Sequence, residues 1–533
     1  MTSRTWSVGA PPASPAWLRL ITQGGPRGLV MWTIVIGTLV RIAFNATIGY
    51  GVGESYYVAT ARHFALSYFD QPPLSLWLTG AVIWLTGAGA TLAVRLPFVL
   101  IFAGTTWLMF RLGARLFGEW AGAWSAVLLN LSPVFVVSVG GWVQPDALLF
   151  FFLLAAVVPF AELAFGNPRR PLLTWALTGA AFGLAMLSKY HAALTLAGVV
   201  IFIATMRGDR RWFFSKGLIL AAAIAVAIFL PVLIWNWQND WVSFVFQGER
   251  AGGTQIRFDW LARSILGQAV YLGLLLWPPL IFVFFRALRR GPASARYWFL
   301  CSLAILPIIL FTVVALWAPL EWHFHWQAPG YMFLFPLLGE AVAARIERGD
   351  ALTRRWVAIS AFCMLLLLAG LGSQAQLGWV HWLVPKSIAD TQPYANTNPT
   401  RELQDWNGLR DALAAKGLLG SRTFAVAASW IEVGKADVEL GDAVPVVVLS
   451  QDPRNIAFGW DHTRFLGWDA LIVVSSELNH DPTADFAPFF ASVAHVMDFD
   501  VKLNGVTATT IHVYQARDYQ KLYPLPYPGP AGR

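Results

Sequence analysis

The chain has 533 residues, 57% hydrophobic and 13% charged, with 27 tryptophans and a formal net charge of +8. Soluble domains carry charge on about a quarter of their residues, so this composition excludes an ordinary soluble enzyme and points to a polytopic membrane protein. The two cysteines, Cys301 and Cys363, lie in apolar stretches and form no disulfide framework. The arginines sit in short loops between apolar stretches, so the positive charge reads as an orientation signal, with no nucleic-acid partner implied.

Residues 1–28 are polar and proline-rich, without the apolar core and cleavage site of a signal peptide, and read as a cytoplasmic N-terminal segment. Residues 29–376 read as the transmembrane domain. The first apolar span, 29–48, is expected to remain as an anchor. Spans of near-membrane length follow at 91–112, 119–138, 146–165, 171–188, 190–206, 217–237, 264–285, 297–317, 328–344 and 356–375, about eleven in all. The segment between the first two spans, 49–90, is a long first extracytoplasmic loop. Within it, "SYYVATARHFAL" predicts a short helix from Ser55, and "PPLSLWLTGAVIWLTG" a second helix opened by proline. A crossing at 74–88 would invert the arginine pattern downstream, so this helix is expected flat on the outer surface.

From 377 to 533 the composition changes. "RELQDWNGLRDALAAKG" predicts an amphipathic helix ending at glycine. "TFAVAAS", "PVVVLS", "DALIVVSS" and "TATTIHVYQ" predict strands. Interleaved helices and strands imply a small α/β domain. An odd number of spans puts it outside the cytoplasm.

Charge separates the loops into two sets. One holds Arg111 and Arg115; Arg169 and Arg170; Arg207, Arg210, Arg211 and Lys216; Arg286, Arg289, Arg290 and Arg296; Arg345, Arg348, Arg354 and Arg355. It shares a side with the basic N-terminus, and the positive-inside rule makes that side cytoplasmic. The other set holds Glu54, Asp70, Asp146, Lys189, Glu249, Arg250, Glu321, His323 and His325. Ionisable groups gathered at span ends on one face suggest a site.

Each residue also has a plainer explanation. Asp146, after proline, suits a helix first turn, and Asp70 suits a turn. Lys189 is as consistent with snorkelling as with a lipid phosphate, and Arg41 and Arg95 are expected to snorkel. Tyr56, Tyr57 and Tyr190 suit sugar or phosphate contact, but also an interfacial belt. Glu321, His323 and His325 alternate, so an extended segment points them one way. Contact with phosphate or sugar is favoured there over a divalent-metal site, because no second ligand pair follows. No P-loop, dinucleotide fingerprint or nucleophile elbow stands in context. That argues against a nucleotide-driven pump and a soluble-style nucleotide-sugar enzyme.

The loop reads Gly53-Glu54-Ser55-Tyr56-Tyr57, then Tyr68-Phe69-Asp70-Gln71-Pro72-Pro73-Leu74. In order there follow "AVRLP" (93–97), "QPDALLFF" (144–151), "LSKYHA" (187–192), "LPVLIWNWQNDWVSFVFQ" (230–247) and "EWHFHWQAPGY" (321–331). As an ordered set these resemble the C-type (GT-C) glycosyltransferase superfamily, in particular the bacterial members akin to protein O-mannosyltransferases and lipid A aminoarabinose transferases. The resemblance implies a GT-C fold in the inner (cytoplasmic) membrane. It further implies inverting transfer of a monosaccharide, on the extracytoplasmic face, from a polyprenyl-phosphate donor to a lipid, glycan or protein acceptor. Such transfer needs a carboxylate base and cations or donors for the leaving phosphate. The family's leading acid aligns with Gly53, which leaves Glu54, with or without Asp146, as base. Glu54 is alternatively a helix-capping acid. Gln71 stands where relatives carry His or Lys, and Lys189 or Arg250 is expected to supply the missing cation. The sequence fixes no cofactor and leaves a requirement for a divalent cation open. The rival reading is a non-catalytic transporter of lipid-linked sugar on the same scaffold.

Overall fold

A computed structural model describes residues 24–206, 208, 210–318, 324–383, 400–476 and 481–527. Seven of its helices are long and apolar enough to cross a membrane: α1 (Gly25–Asn45), α4 (Thr91–Phe117), α6 (Pro145–Phe165), α7 (Pro171–Ser188), α9 (Lys216–Gln238), α13 (Ala295–Val314) and α15 (Ala351–Leu377). Each coincides with an expected span. At 1.5 Å per residue, such helices match a hydrocarbon layer about 30 Å thick.

The remaining expected spans take other forms. Span 119–138 is α5 (Glu119–Leu129), a break at Pro133 and a π-helical turn at Val134–Ser138. Span 190–206 is the 14-residue α8 (Ala192–Thr205). Span 264–285 is broken into α11 (Phe258–Leu272) and α12 (Trp277–Arg290), bent by 108°. Gly273, at φ +97°, supplies the left-handed residue at the break. Span 328–344 is the turn Ala328–Met332 followed by α14 (Phe335–Glu347).

In the first loop, α2 (Val52–Ala61) and α3 (Leu74–Thr86) both form, α2 starting three residues before its predicted start. α3 has 13 residues, about 20 Å of helix, too short to span. It packs on α2, α4, α6 and α7 and leaves Trp84 and Leu85 exposed. α10 (Val242–Glu249) follows α9 on the same side.

The bundle core is built on α4 to α8, α13 and α14, with Phe135, Phe150, Phe160 and Phe335 fully buried. Tight contact of α7 with α9 depends on Gly179, where a Cβ would strike the backbone of Ala221. Small residues admit such approach between membrane helices.

The C-terminal domain holds a five-stranded sheet in the order β2-β1-β3-β5-β4, from β1 (Thr423–Ala427), β2 (Val446–Val448), β3 (Asp469–Ser475), β4 (Phe490–Leu503) and β5 (Val506–Tyr519). β1, β2 and β3 are parallel and nearly wholly buried, so they read as continuous apolar runs. β4 and β5 form an antiparallel hairpin about Asn504-Gly505, both at positive φ, the conformation a tight hairpin turn requires. The predicted helix over 401–417 is reduced to a 3-10 turn at Arg401–Leu403 and α16 (Leu409–Ala415). Sequence pattern alone missed β4 and α17 (Trp430–Leu440).

α17 joins the two parts of the molecule. It lies on α2, and Tyr56 and Ala59 of α2 enter the same core as Val433, Ala436, Leu440 and the inner faces of β1 and β3. Arg62 pairs with Asp437 (2.6 Å) and Asp442 (2.8 Å). Lys435 pairs with Asp405 (2.9 Å) and donates to the carbonyl of Tyr50. At the crossing, a Cβ on Gly434 would collide with the backbone of Ser55 and Tyr56. Backbone cannot rotate aside, so Gly434→Val is expected to cost about 1–3 kcal/mol, read as a lowered unfolding midpoint of the detergent-solubilised protein. Gly53→Ala is the control, because a Cβ there meets nothing within 4 Å.

Candidate functional site

α2 begins after extended Gly51, and Glu54 occupies the third helical position, where its carboxylate reaches back to the Gly51 N–H (3.0 Å). The same carboxylate accepts from the Val143 N–H (2.9 Å), from Arg95 Nε (2.9 Å) and from Arg95 Nη2 (2.5 Å). A carboxylate offers about four acceptor positions; all four are filled, and the residue is 0% exposed. Arg95 spends its other donors on the carbonyls of Asn45, Ile48 and Gly49. It is fully buried rather than snorkelling. Arg41 is buried too, lying over the Phe102 ring and donating to Asn130 (3.0 Å). For both arginines the expectation of a solvent-seeking side chain fails: carbonyls and a carboxylate satisfy Arg95 inside the bundle, while Arg41 is held by the Asn130 amide and the Phe102 ring and keeps a buried Nε without an acceptor.

Asp146 stands in the first turn of α6, after Pro145. Its two oxygens accept from Lys189 Nζ at 3.0 and 2.8 Å. Lys189 follows α7 in an extended conformation, and both side chains are about 5% exposed or less. Val143, bonded to Glu54, is three residues before Asp146, so the two ion pairs adjoin.

A third group forms where the first loop meets the C-terminal domain. Tyr56 donates to Asp70 Oδ1 (3.2 Å) and accepts from the Asn455 N–H (3.1 Å). Asn455 Oδ1 accepts from the Phe69 N–H (2.9 Å). Gln247 of α10 donates to the Asp70 carbonyl (2.7 Å), and Ser243 to the Tyr68 carbonyl (3.1 Å). Arg454, at φ +46°, lies 3.4 Å over the Trp430 ring. Arg250 lies over Trp326 (4.6 Å) and Phe246 (5.6 Å). Burial pushes the Asp70 carboxyl up from its ordinary value, against the pull of Arg454, Tyr56 and Arg250. Burial, then repulsion from Arg454, pulls Arg250 down. Tyr57 is where these fields meet: burial first, then Asp70 and Asp146, raise its phenol, while Arg454 and Arg250 oppose.

Of the residues singled out from the sequence, the structure brings together Glu54, Tyr56, Tyr57, Asp70, Asp146, Lys189 and Arg250. Gln71 adjoins them, nearly buried. Tyr190 packs on Phe229 and Phe244 beside Lys189. His325 lies in the turn Phe324–Trp326, whose Trp326 carries Arg250. Glu321 and His323 lie outside the described residues. Helices α4 and α6 run from this cluster toward the basic loops of Arg111, Arg115, Arg169 and Arg170; α7 and α9 run from basic loops toward it. The residues sequence reading missed are Arg454, Asn455 and Trp430. They come from a domain joined to the bundle by tertiary contact alone, and no spacing ties them to the loop. Glu54 is paired with Arg95 and Asp146 with Lys189, while the Asp70 carboxylate is bonded to the Tyr56 hydroxyl.

Residues 70–235 match the family described as dolichyl-phosphate-mannose-protein mannosyltransferase. The lipid A galacturonosyltransferase RgtD of Rhizobium johnstonii is 25% identical over 310 residues, 57% of this chain and 62% of that protein. The undecaprenyl phosphate-alpha-4-amino-4-deoxy-L-arabinose arabinosyl transferase of Edwardsiella ictaluri is 28% identical over 265 residues, 47% of each chain. The chain thus spans between about half and three fifths of the length of these relatives. Among solved structures, ArnT from Cupriavidus metallidurans in the apo state superposes with a TM-score of 0.57 at 15% identity, over 92% of this chain and 98% of that one. The same protein bound to undecaprenyl phosphate superposes equally, at 14% identity over 91% and 98%. The fold is theirs.

Removing one member of a buried ion pair strands the other. Arg95→Met and Glu54→Gln are each expected to destabilise the protein by about 3–5 kcal/mol. The double variant is expected to recover only part of that loss, because the carbonyls of Asn45, Ile48 and Gly49 still lack the donors Arg95 supplied; the coupling is read in a thermal-unfolding cycle in detergent.

Proposed function

We propose that this chain, which belongs to the C-type glycosyltransferase superfamily, is a membrane enzyme that moves a monosaccharide from a polyprenyl-phosphate donor to a hydroxyl of a lipid acceptor on the extracytoplasmic face. The observation that carries this reading is the meeting of Asp70, Asp146, Lys189, Arg250 and Arg454 around Tyr57, at helix ends opposite the arginine-rich loops. Three further points support it. Undecaprenyl phosphate is bound by a protein of the same fold. An undecaprenyl-phosphate sugar is named in one relative, and lipid A in another. The arginine distribution favours an outward-facing site.

The acceptor oxygen attacks the anomeric carbon as the bond to the phosphate oxygen breaks, inverting that carbon. The acceptor's proton passes to a carboxylate, and the polyprenyl phosphate leaves with the bonding electrons. Glu54 has every acceptor position filled, so we assign it to positioning rather than to the base role expected from the sequence. Asp70 is the better base. One of its contacts is a tyrosine hydroxyl, and its raised proton affinity brings it nearer the working pH. Asp146 is reassigned from base to holding Lys189, which faces the leaving phosphate. Arg250 and Arg454 add planar donors suited to phosphate oxygens. Asp70, Asp146 and Lys189 are buried, so their charges act more strongly than in bulk solvent.

Asp70→Asn is expected to lower kcat by about 10²–10⁴-fold, and Asp146→Asn to impair donor use chiefly through KM. Both are measured as transfer from a labelled polyprenyl-phosphate sugar to membrane lipid by purified protein. Wild-type turnover in Asp70→Asn with none in Asp146→Asn would return the base to Asp146. Sugar translocation with no new glycosidic bond would instead identify a transporter.

The rate should also depend on pH. A base with a raised pKa is protonated, and idle, below that value. Transfer is therefore expected to fall on acidification through a pKa above the ordinary aspartate value near 4, and this acid limb should be absent from the residual rate of Asp70→Asn.

A further inference from the structure

Away from this site, the β4–β5 hairpin carries a second constellation. His495 Nε2 and His512 Nδ1 both lie 2.7 Å from the same oxygen, Oδ1 of Asp498. One ligand atom from each residue falls within 4.8 Å of the others. We propose that His495, Asp498 and His512 form a binding site for a borderline divalent transition metal such as Zn²⁺.

The backbone is arranged for this convergence. Residues three apart on a regular strand point to opposite faces, so His495 and Asp498 should diverge. An irregularity between His495 and Met497 resets the register: His495 pairs with Tyr514, and Asp498 pairs directly with His512. Bulges re-aim side chains in this way. His512 is flanked by Ile511 and Val513, both in the core that faces α17. The three side chains therefore stand on the other face of the sheet, away from α2 and the transfer site.

The donor set suits the ion. The two imidazole nitrogens are borderline ligands that favour Zn²⁺ and its neighbours over Mg²⁺ or Ca²⁺, and the one carboxylate oxygen is accepted by either class. A tetrahedral ion with bonds of 2.0–2.2 Å places its ligands about 3.3 Å apart, a small widening of the two 2.7 Å His–Asp separations. Water completes the coordination, because all three side chains are solvent-accessible. Neutral histidines bind through the nitrogens that now face Asp498 and carry their protons on the other ring nitrogen. Tyr514 meets the His495 ring edge-on at 5.2 Å and restrains it. The nearby Asp500 is engaged by Thr510 (2.8 Å). A bound ion would fasten edge strand β4 to β5 across its bulge.

The test uses full-length protein without a polyhistidine tag, stripped with EDTA in detergent and titrated with Co²⁺ by visible absorption and with Zn²⁺ by calorimetry. Wild type is expected to bind one equivalent that His495→Ala and His512→Ala lose. Asp498→Asn is expected to weaken binding by about tenfold or more. Zn²⁺ should raise the unfolding midpoint of wild type but not of His512→Gln, which keeps a side-chain donor for Asp498. Absence of binding by folded wild type, or an equivalent retained by the double histidine variant, would overturn the proposal.

Discussion

The Glu54–Arg95 ion pair is the contact on which the rest of the arrangement depends. Arg95 takes the carbonyl of Asn45, at the end of α1, and those of Ile48 and Gly49 just beyond it, and Glu54 takes the amides of Gly51 and Val143. Three chain segments that are remote in sequence are thereby held at one point without exposure to water. A buried pair of this kind gains little over apolar packing, because desolvation offsets the attraction. Its contribution is to location: only one placement of α2 satisfies every donor and acceptor.

That placement matters because α2 serves two cores. Its Tyr56 and Ala59 complete the interior of the C-terminal domain, while its first turn is bound to the bundle. The C-terminal domain is docked through this helix, and its Arg454 and Asn455 arrive over the first loop for the same reason. Asp70, Asp146 and Lys189 are then brought close to two arginines from different parts of the chain. In this poorly solvated place, opposing charges hold one another in position before any substrate enters.

The hairpin site shows the same logic at smaller scale. A one-residue register change in an edge strand decides which side chains share a face. Composition carries no trace of it, and β4 itself escaped sequence reading. Its apolar residues alternate irregularly with His495, Asp498 and Asp500, and it pairs with β5 alone.

What the sequence determined by itself was whatever local hydropathy and charge encode. The seven long helices, the two loop helices, the strands β1, β2, β3 and β5, and the grouping of acids opposite the arginines all follow from periodicity and position along the chain. The tertiary structure decided the partners. Nothing local distinguishes an arginine that snorkels from Arg95, which finds a carboxylate forty-one residues away. Nothing local tells a free Glu54 from one whose four acceptor positions are filled, or ties Arg454 to Asp70. The break of 264–285 at Gly273 and the interruption of 119–138 likewise arise where packing overrides apolar length. Hydropathy reports which groups leave water; which groups they then meet is fixed only when distant segments are folded together.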